Sequence, residues 1–330
     1  MLTLKHSSAE QSSITFDRNV TDVLKFIACL MVALGHYYGY CSVNDIHNVF
    51  IDAIRIVSPQ FGYLGVALFF LLSGYGLMMS DKKKHLEFGA FIRRRLSKTY
   101  LPAVLVSVIW LGINMVINET GGVNLLCNQH YFLGVIWRFN DEVMWFVRAI
   151  IVLYLFFYLF RWLDVKICKV KDFSYISLIN LLVLGTIATY LVRRAGIGDP
   201  ISVPLFFIGT AIARWPGKAK RIFRSVPILL MVLILIVAIA YLWRSDNRVL
   251  HGLINYFVMT AFVSLLAFVD ISIDRMPKWI GSSSYDLYLV HYKAHLLLVF
   301  LCGVDLLWMF VLGTALATIG FYQLRKLCKL

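Results

Sequence analysis

Residues 23–40 of this chain read VLKFIACLMVALGHYYGY, an apolar run that carries two ionisable side chains, Lys25 and His36. Eleven residues make three turns of an α-helix and about 20° more, so Lys25 and His36 share one helical face and lie roughly 16 Å apart along its axis. An ionisable residue inside a membrane segment is costly, and it faces a partner, a cavity or a substrate path. Two such residues on one face predict a polar path across about half of a bilayer.

The rest of the chain is equally apolar. Hydrophobic residues make up 60% of its 330 residues, a larger share than ordinary soluble domains carry. The composition predicts an all-α, polytopic membrane bundle of about ten transmembrane helices. The predicted spans are 22–40, 61–80, 100–118, 143–161, 174–192, 201–214, 226–243, 251–270, 284–301 and 303–322. The sixth is short and contains Pro204, which is typical of a half-span or a re-entrant segment buried against other helices.

Cationic loops orient the predicted spans. The loops after spans two, four and six and the C-terminal tail are rich in Lys and Arg, and such loops face the cytoplasm. An even number of spans then places both termini in the cytoplasm, with tails at 1–19 and 323–330 around a membrane domain at 20–322. The net charge of +14 is therefore a topology signal that brings cations to the membrane lipid headgroups. Nucleic acid is not an expected partner, and the chain is expected to be a multi-pass protein of the cell inner (cytoplasmic) membrane.

Two neighbouring motifs carry candidate binding groups. Residues 69–75 (FFLLSGY) close span two and place Ser73 in an aromatic setting, although small residues there are equally suited to close helix packing. Residues 91–102 (FIRRRLSKTYLP) then lead into span three with the cations Arg93, Arg94, Arg95 and Lys98. Guanidinium groups bind phosphate in a bidentate manner, so this cluster is a candidate phosphate site as well as a topology signal.

The start of span four carries an aromatic residue and an intramembrane cation. Trp145 is typical of the aromatic belt at a membrane interface. Arg148 lies too far from the cytoplasmic edge to reach it, so we expect it to pair with Asp141 or Glu142 or to face a cavity.

Span nine is the other polar span. Residues 281–291 (GSSSYDLYLVH) place Asp286 about one turn inside the membrane and His291 deeper, where an ionisable group either forms a hydrogen bond across helices or lines a cavity. His291 and His295 are four residues apart, which permits a metal site, but no third ligand is evident. No metal is therefore expected.

Together these motifs resemble the membrane acyltransferase-3 family along nearly the whole chain. The resemblance rests on Lys25 and His36 in span one, the aromatic end of span two, the Arg-rich loop that ends at Pro102, Trp145-Phe146 in span four, and the segment from Ser284 to His291 in span nine. Members of this family have a ten-helix core. They transfer acyl groups, most often acetyl from acetyl-CoA, to hydroxyls of cell-envelope carbohydrates.

The resemblance implies a membrane O-acyltransferase (O-acetyltransferase) whose co-substrate is cytoplasmic acetyl-CoA or another acyl-CoA, with no permanently bound cofactor. The expected acceptor is an envelope glycan or a lipid-linked sugar. Lys25 and His36 would be the family's basic residue and its essential histidine. Two departures stand out: the family's Arg-x-x-Arg motif has Lys98 in its second position, and the soluble esterase-like domain of some members has no counterpart. The acceptor is therefore expected to reach the membrane domain itself or a separate protein.

The chemistry of such a transfer fits the residues. A sugar hydroxyl needs a general base with a pKa near neutrality, and His36 is the candidate. Tyr288, Ser73 or Arg148 could stabilise the oxyanion. The predicted site groups fall into three sets, which are catalytic (His36, Lys25, Tyr288, His291), donor-binding (Arg93, Arg94, Arg95, Lys98, Ser73) and acceptor-binding (Trp145, Arg148, Asp286).

The sequence also predicts a route through the bundle to His36. A cavity open to the cytoplasm near Arg94 and Lys25 should converge on His36, with Asp286 and His291 on its opposite wall. A transporter or flippase for a charged sugar or lipid could use the same intramembrane groups as a proton relay or as substrate contacts. A non-catalytic sensor or scaffold is the third interpretation.

Overall fold

The computed structural model describes residues 2–6, 16–47, 49, 58–119, 144–167, 174–198, 200–225, 248–274, 277–302 and 307–328. The first half of this structure contains the helices α1 (Arg18–Val43), α2 (Ser58–Lys83), α3 (Phe88–Arg95), α4 (Leu101–Glu119) and α5 (Trp145–Trp162). The second half contains α6 (Tyr175–Arg194), α7 (Pro204–Arg214), α8 (Pro216–Ser225), α9 (Arg248–Phe268), α10 (Lys278–Cys302) and α11 (Leu307–Leu327). Turns of π-helix at Leu96–Tyr100 and Leu163–Ile167 join α3 to α4 and extend α5.

Seven segments of the described chain are long and apolar enough to cross a membrane: Arg18–Val43, Gln60–Lys83, Phe88–Ile117, Trp145–Val165, Tyr175–Arg194, His251–Phe268 and Leu307–Leu327. Each overlaps a predicted span, but Phe88–Ile117 begins twelve residues before the predicted third span and includes the cationic stretch that was predicted as a loop. The predicted sixth span is a short apolar helical piece, Pro200–Arg214, and the predicted seventh span lies outside the described residues. The count of ten and the side of the membrane that holds the termini stay predictions.

Helix α10 contains predicted span nine but is absent from these seven segments. Its sequence carries several ionisable groups, and Asp286, His291, Lys293 and His295 are all buried. Because these groups lower its hydropathy, composition alone does not identify α10 as a span. Buried ionisable groups concentrated on one helix indicate a functional element.

Helix α2 lies at the centre of the bundle and packs through glycines. A Cβ atom added to Gly35 of α1 would lie 2.8 Å from the backbone nitrogen of Gly62, and one added to Gly74 would collide with the carbonyl oxygen of Phe206 in α7. Gly209 of α7 makes the reciprocal close approach to α2. Small residues allow this backbone proximity in membrane bundles, so Gly74 in the predicted motif at the end of span two serves helix packing.

An ionic network joins the ends of four helices. The fully buried carboxylate of Asp164 accepts hydrogen bonds from Ser177, from Arg161 at 3.0 Å and from Arg214 at 2.9 Å, and Arg161 also pairs with Asp81 at 2.6 Å. The network gathers the cationic segments that follow predicted spans two, four and six at one end of the bundle. This arrangement agrees with the predicted distribution of positive charge.

The first residues form a strand that the sequence did not predict. Strand β1 (Leu2–His6) pairs antiparallel with β2 (Val269–Ile273), and Leu2 lies opposite Ile273. The alternating residues 269–273 (VDISI) favour a strand, and the side-chain amide of Asn19 donates a hydrogen bond to the carbonyl of Ile273 at 2.7 Å. This pairing attaches the N-terminal strand to the segment that directly follows α9.

Candidate functional site

Helices α1 and α10 lie side by side and run in the same direction. Near the start of both helices, the ring centroids of Phe26 and Trp279 are 5.9 Å apart, and a Cβ atom on Gly281 would lie 2.5 Å from the carboxylate of Asp22. About ten to twelve residues further along each helix, roughly three turns, the two chains bring a histidine pair together.

That pair is His36 of α1 and His291 of α10. The Nδ1 atom of His36 lies 2.8 Å from the Nε2 atom of His291, and the two ring planes are within 4° of parallel. His291 is fully buried, whereas His36 is half-buried. The intramembrane histidines of predicted spans one and nine therefore form one hydrogen-bonded unit, which places span nine within side-chain reach of His36 as predicted.

Backbone carbonyls fix the direction of this hydrogen bond. The Nδ1 atom of His291 lies 2.8 Å from the carbonyl oxygen of Tyr288 and 3.2 Å from that of Leu287. Carbonyl oxygens only accept, so this Nδ1 carries the proton and the Nε2 of neutral His291 is an acceptor. The Nδ1–H of His36 then donates to His291. In a neutral His36 the lone pair is consequently on Nε2, which can accept a proton.

An aromatic wall stands next to the histidine pair. The ring of Tyr288 lies 5.9 Å from His291, 6.0 Å from Phe69 and 5.7 Å from Phe146 between centroids. Motifs from predicted spans two, four and nine therefore meet at one place. Ser73 is half-buried on α2, one helical turn beyond Phe69 and on the same face. Trp145 is the first residue of α5, and its ring centroid lies 6.2 Å from that of Phe70.

Lys25 lies at the cationic end of α1. It interacts electrostatically with Asp22 on its own helix and with Arg95 and Arg18. Lys98 in turn interacts with Arg94, Arg95 and Arg18. Lys25 and the predicted donor-binding cluster therefore share one region, three helical turns from His36.

Within the cluster, Arg95 is the most enclosed guanidinium. It lies over the rings of Phe91 and Tyr154, at 5.6 and 5.7 Å from their centroids. Its Nε is buried and has no hydrogen-bond partner in the part of the chain that the structure describes. Arg93, Arg94 and Lys98 are exposed. An orphaned buried donor beside three exposed cations suits an anionic ligand that approaches from this end.

Asp286 does not face the histidine pair. It is fully buried and pairs with Arg325 of α11 at 2.9 Å, which places it between α10 and α11. The sequence predicted Asp286 on the wall opposite His36, and this prediction is wrong. An intramembrane carboxylate needs a partner for its charge, and Asp286 finds that partner in Arg325. Arg325 lies in the segment that the charge pattern predicts as a cytoplasmic tail. A carboxylate within a predicted span indicates that a cationic partner exists. The order of the helices along the chain does not show which helix supplies that partner.

Two further predictions concern residues at the other end of the bundle. Arg148 is half-buried in α5, and its predicted partners Asp141 and Glu142 lie outside the described residues. His291 and His295 do not converge, because the ring of His295 packs against Tyr40 at 4.6 Å. Within the described ranges, no group of three His, Cys, Asp or Glu residues is placed to hold a metal ion.

A cavity of about 220 Å³ lies between α4, α10 and α11. Its walls are apolar except for the buried Lys293, which lies over the ring of Trp110 at 6.0 Å. Lys293 follows His291 by two residues and therefore points to the opposite side of α10. This cavity differs from the predicted channel, which follows the face of α1 that carries Lys25 and His36.

Comparison with known proteins gives one match. A family model described as an acyltransferase domain, Acyl_transf_3, matches residues 20–325, essentially the whole chain. No curated protein and no solved structure matches.

Proposed function

The chain belongs to the acyltransferase-3 family, and from this premise we propose that it is a membrane O-acetyltransferase. In this proposal, an acetyl group moves from cytoplasmic acetyl-CoA to a hydroxyl of an envelope glycan or a lipid-linked sugar, and the protein resides in the inner membrane. The observation that carries the proposal is the hydrogen bond of 2.8 Å between His36 and His291. It presents a basic nitrogen inside the bundle, on the helical face that leads to the cations.

His36 acts as the general base. Its Nε2 takes the proton of the acceptor hydroxyl while the hydroxyl oxygen attacks the thioester carbonyl carbon, which forms a C–O bond and a tetrahedral oxyanion. The oxyanion then collapses, the C–S bond breaks, and the proton passes from His36 to the departing thiolate sulfur. The products are the acetyl ester and free CoA, so no oxidant or reductant is consumed.

His291 is the positioning residue for this base. The carbonyls of Tyr288 and Leu287 hold its Nδ1–H, so its Nε2 lone pair faces His36 and fixes the imidazole as the buried aspartate does in a serine hydrolase triad. His291 is neutral, so it stabilises the transient imidazolium through hydrogen bonding without burying a second full charge.

Tyr288 is the favoured oxyanion donor among the three candidates. Its ring lies beside His291, 5.9 Å away between centroids, and a phenol hydroxyl held in a buried wall is a preorganised donor. Ser73 and Arg148 remain candidates for the same role or for contact with the donor and the acceptor.

The donor would bind at the cationic end. Arg93, Arg94, Arg95 and Lys98 would contact the phosphates of the CoA, and the charge of Lys25 would attract the same anion towards the α1 face. Arg95 is the most enclosed cation of this group, and among the described residues its Nε has no hydrogen-bond partner. The thioester would then approach His36 along the face that the two residues share, as the sequence predicts.

The decisive experiment compares envelope carbohydrates from cells with the intact gene, cells without it, and cells that carry His36→Ala. Mass spectrometry should find an acetyl increment on one glycan only with the intact gene. Equal acetylation in all three strains would refute the proposal. The transporter alternative has no support from the family and predicts movement of the substrate without any new ester.

A further inference from the structure

The pair of histidines continues outward into a group of tyrosines that the mechanism above does not use. On α1, Tyr40 follows His36 by one turn, and on α10, Tyr292 lies beside His36 with 5.7 Å between ring centroids. His295, one turn beyond His291, contacts Tyr40 at 4.6 Å and Tyr37 at 5.3 Å. This group extends away from Lys25 and the cation cluster.

The group has a buried layer and an accessible layer. Tyr37 and His295 are 0% and 1% exposed, whereas His36, Tyr40 and Tyr292 are only half-buried. The three half-buried side chains lie on neighbouring parts of α1 and α10, with the base at the inner edge of the group. The buried two lie behind these three side chains.

Helix α4 supplies a third wall beside these side chains. Tyr40 and Tyr292 both pack against the apolar cluster that contains Trp110 and Ile117. The three side chains therefore lie where α1, α4 and α10 meet, beside an apolar cluster.

We propose that the face formed by His36, Tyr40 and Tyr292, named here the outer tyrosine face, is the acceptor subsite and binds one sugar ring. The proposal rests on the acyltransferase function argued above. Tyrosine combines a flat apolar surface with a polar hydroxyl, which suits the apolar and hydroxyl-bearing sides of a pyranose. The three side chains carry no full charge when His36 is neutral, so a neutral polyhydroxyl ring fits better than a phosphate or carboxylate headgroup.

The position of the face agrees with the chemistry. An acceptor held there would place a ring hydroxyl against His36 from the outward side, while the anionic donor binds near Lys25, roughly 16 Å along the same helix. The two substrates would thus reach the base from opposite sides. The predicted acceptor residue Asp286 has no part in this arrangement, since it pairs with Arg325.

The test measures steady-state kinetics in detergent micelles with the full-length protein, acetyl-CoA and carbohydrate extracted from the envelope of cells that lack the gene. Tyr40→Leu and Tyr292→Leu should each raise the acceptor KM about threefold to tenfold, the range expected for loss of one aromatic contact. The KM for acetyl-CoA and the slow hydrolysis of acetyl-CoA without acceptor should stay within twofold of wild type. The conservative variants Tyr40→Phe and Tyr292→Phe separate loss of the ring from loss of the hydroxyl.

Tyr38→Leu is the matched control. Tyr38 is also a half-buried tyrosine of the outer half of α1, but it follows His36 by two residues and points to the other side of the helix. An acceptor KM that rises equally in Tyr38→Leu, or that stays at the wild-type value in Tyr40→Leu and Tyr292→Leu while transfer proceeds, would overturn the subsite. Absence of transfer in wild-type protein with every extract would instead refute the proposed function.

Discussion

His36 and His291 are 255 positions apart in the chain, yet their facing nitrogens lie 2.8 Å from each other. The backbone carbonyl of Tyr288 accepts from the Nδ1 of His291, so the Nε2 of neutral His291 is left to accept from His36. In the proposed mechanism, one histidine serves as the base and the other determines which nitrogen of that base is available.

Removal of the base should abolish most of the activity. We expect His36→Ala to lower acetyl transfer by roughly 10²- to 10⁴-fold, the contribution of a positioned general base. The protein should still insert and fold, which fluorescence-detected gel filtration of a tagged form will check. Turnover within a few-fold of wild type would remove His36 from the mechanism.

Loss of the positioning residue should have a smaller and more specific effect. His291→Leu should reduce kcat about 10- to 100-fold, because a hydrogen bond to a group that becomes charged contributes roughly 1.5–3 kcal/mol. The KM for acetyl-CoA should change little. His291→Gln keeps an acceptor oxygen for the Nδ1–H of His36 and should recover part of the lost rate; identical rates in the Leu and Gln variants would contradict the proposed hydrogen bond.

The departure from the family motif offers a gain-of-function test. Lys98→Arg restores the Arg-x-x-Arg pattern with Arg95, and a guanidinium can bind a phosphate through two parallel hydrogen bonds. We expect a lower KM for acetyl-CoA in Lys98→Arg, a higher one in Lys98→Gln, and weaker donor binding in both at high salt. Arg221→Gln on α8, also an exposed cation, is the control and should behave as wild type. If the KM for acetyl-CoA is the same in Lys98→Arg, Lys98→Gln and wild type, Lys98 does not bind the donor and the cationic cluster serves only to set the membrane topology.

The packing of α2 on α7 predicts a change in stability. A Cβ atom at Gly74 would collide with the carbonyl oxygen of Phe206, whereas one at Gly76 would meet no atom within 4 Å. Gly74→Ala should therefore lower the free energy of unfolding by about 1–3 kcal/mol, the usual cost of overpacking. Gly76→Ala should be neutral or slightly stabilising, because alanine favours helix. Thermal unfolding in detergent will compare the two, and equal melting temperatures would show that α2 and α7 pack differently.

The buried ion pair between α10 and α11 predicts a non-additive pair of substitutions. Arg325→Met leaves the fully buried carboxylate of Asp286 without its partner at 2.9 Å and should destabilise the protein by roughly 3–5 kcal/mol. Asp286→Asn in the same chain removes the charge and should restore most of the loss. Acetyl transfer by the stable double variant should persist, since neither residue faces His36; complete inactivity would return Asp286 to the active site.

The sequence determined the class of the protein and the identity of its chemical groups. Hydrophobic runs of membrane length predicted the seven segments that the structure retains as candidate spans, because helix length in a bilayer follows from its thickness. Lys25 and His36 were placed on one face by helical periodicity alone. The family resemblance, which rested on ordered motifs in several spans, was confirmed by the match over residues 20–325.

Only the tertiary structure decided which polar groups meet. Sequence spacing relates residues within one helix, but the partner of a side chain depends on which helices are neighbours and how each is rotated about its axis. That rotation turns His291 towards α1 and Tyr288 towards α2 and α5, while it turns Asp286 to Arg325 and Lys293 to a separate cavity. The position of a buried polar group in the sequence therefore does not specify its partner. In a bundle of low dielectric constant such a group needs a partner, and the packing of the helices decides which one lies within reach.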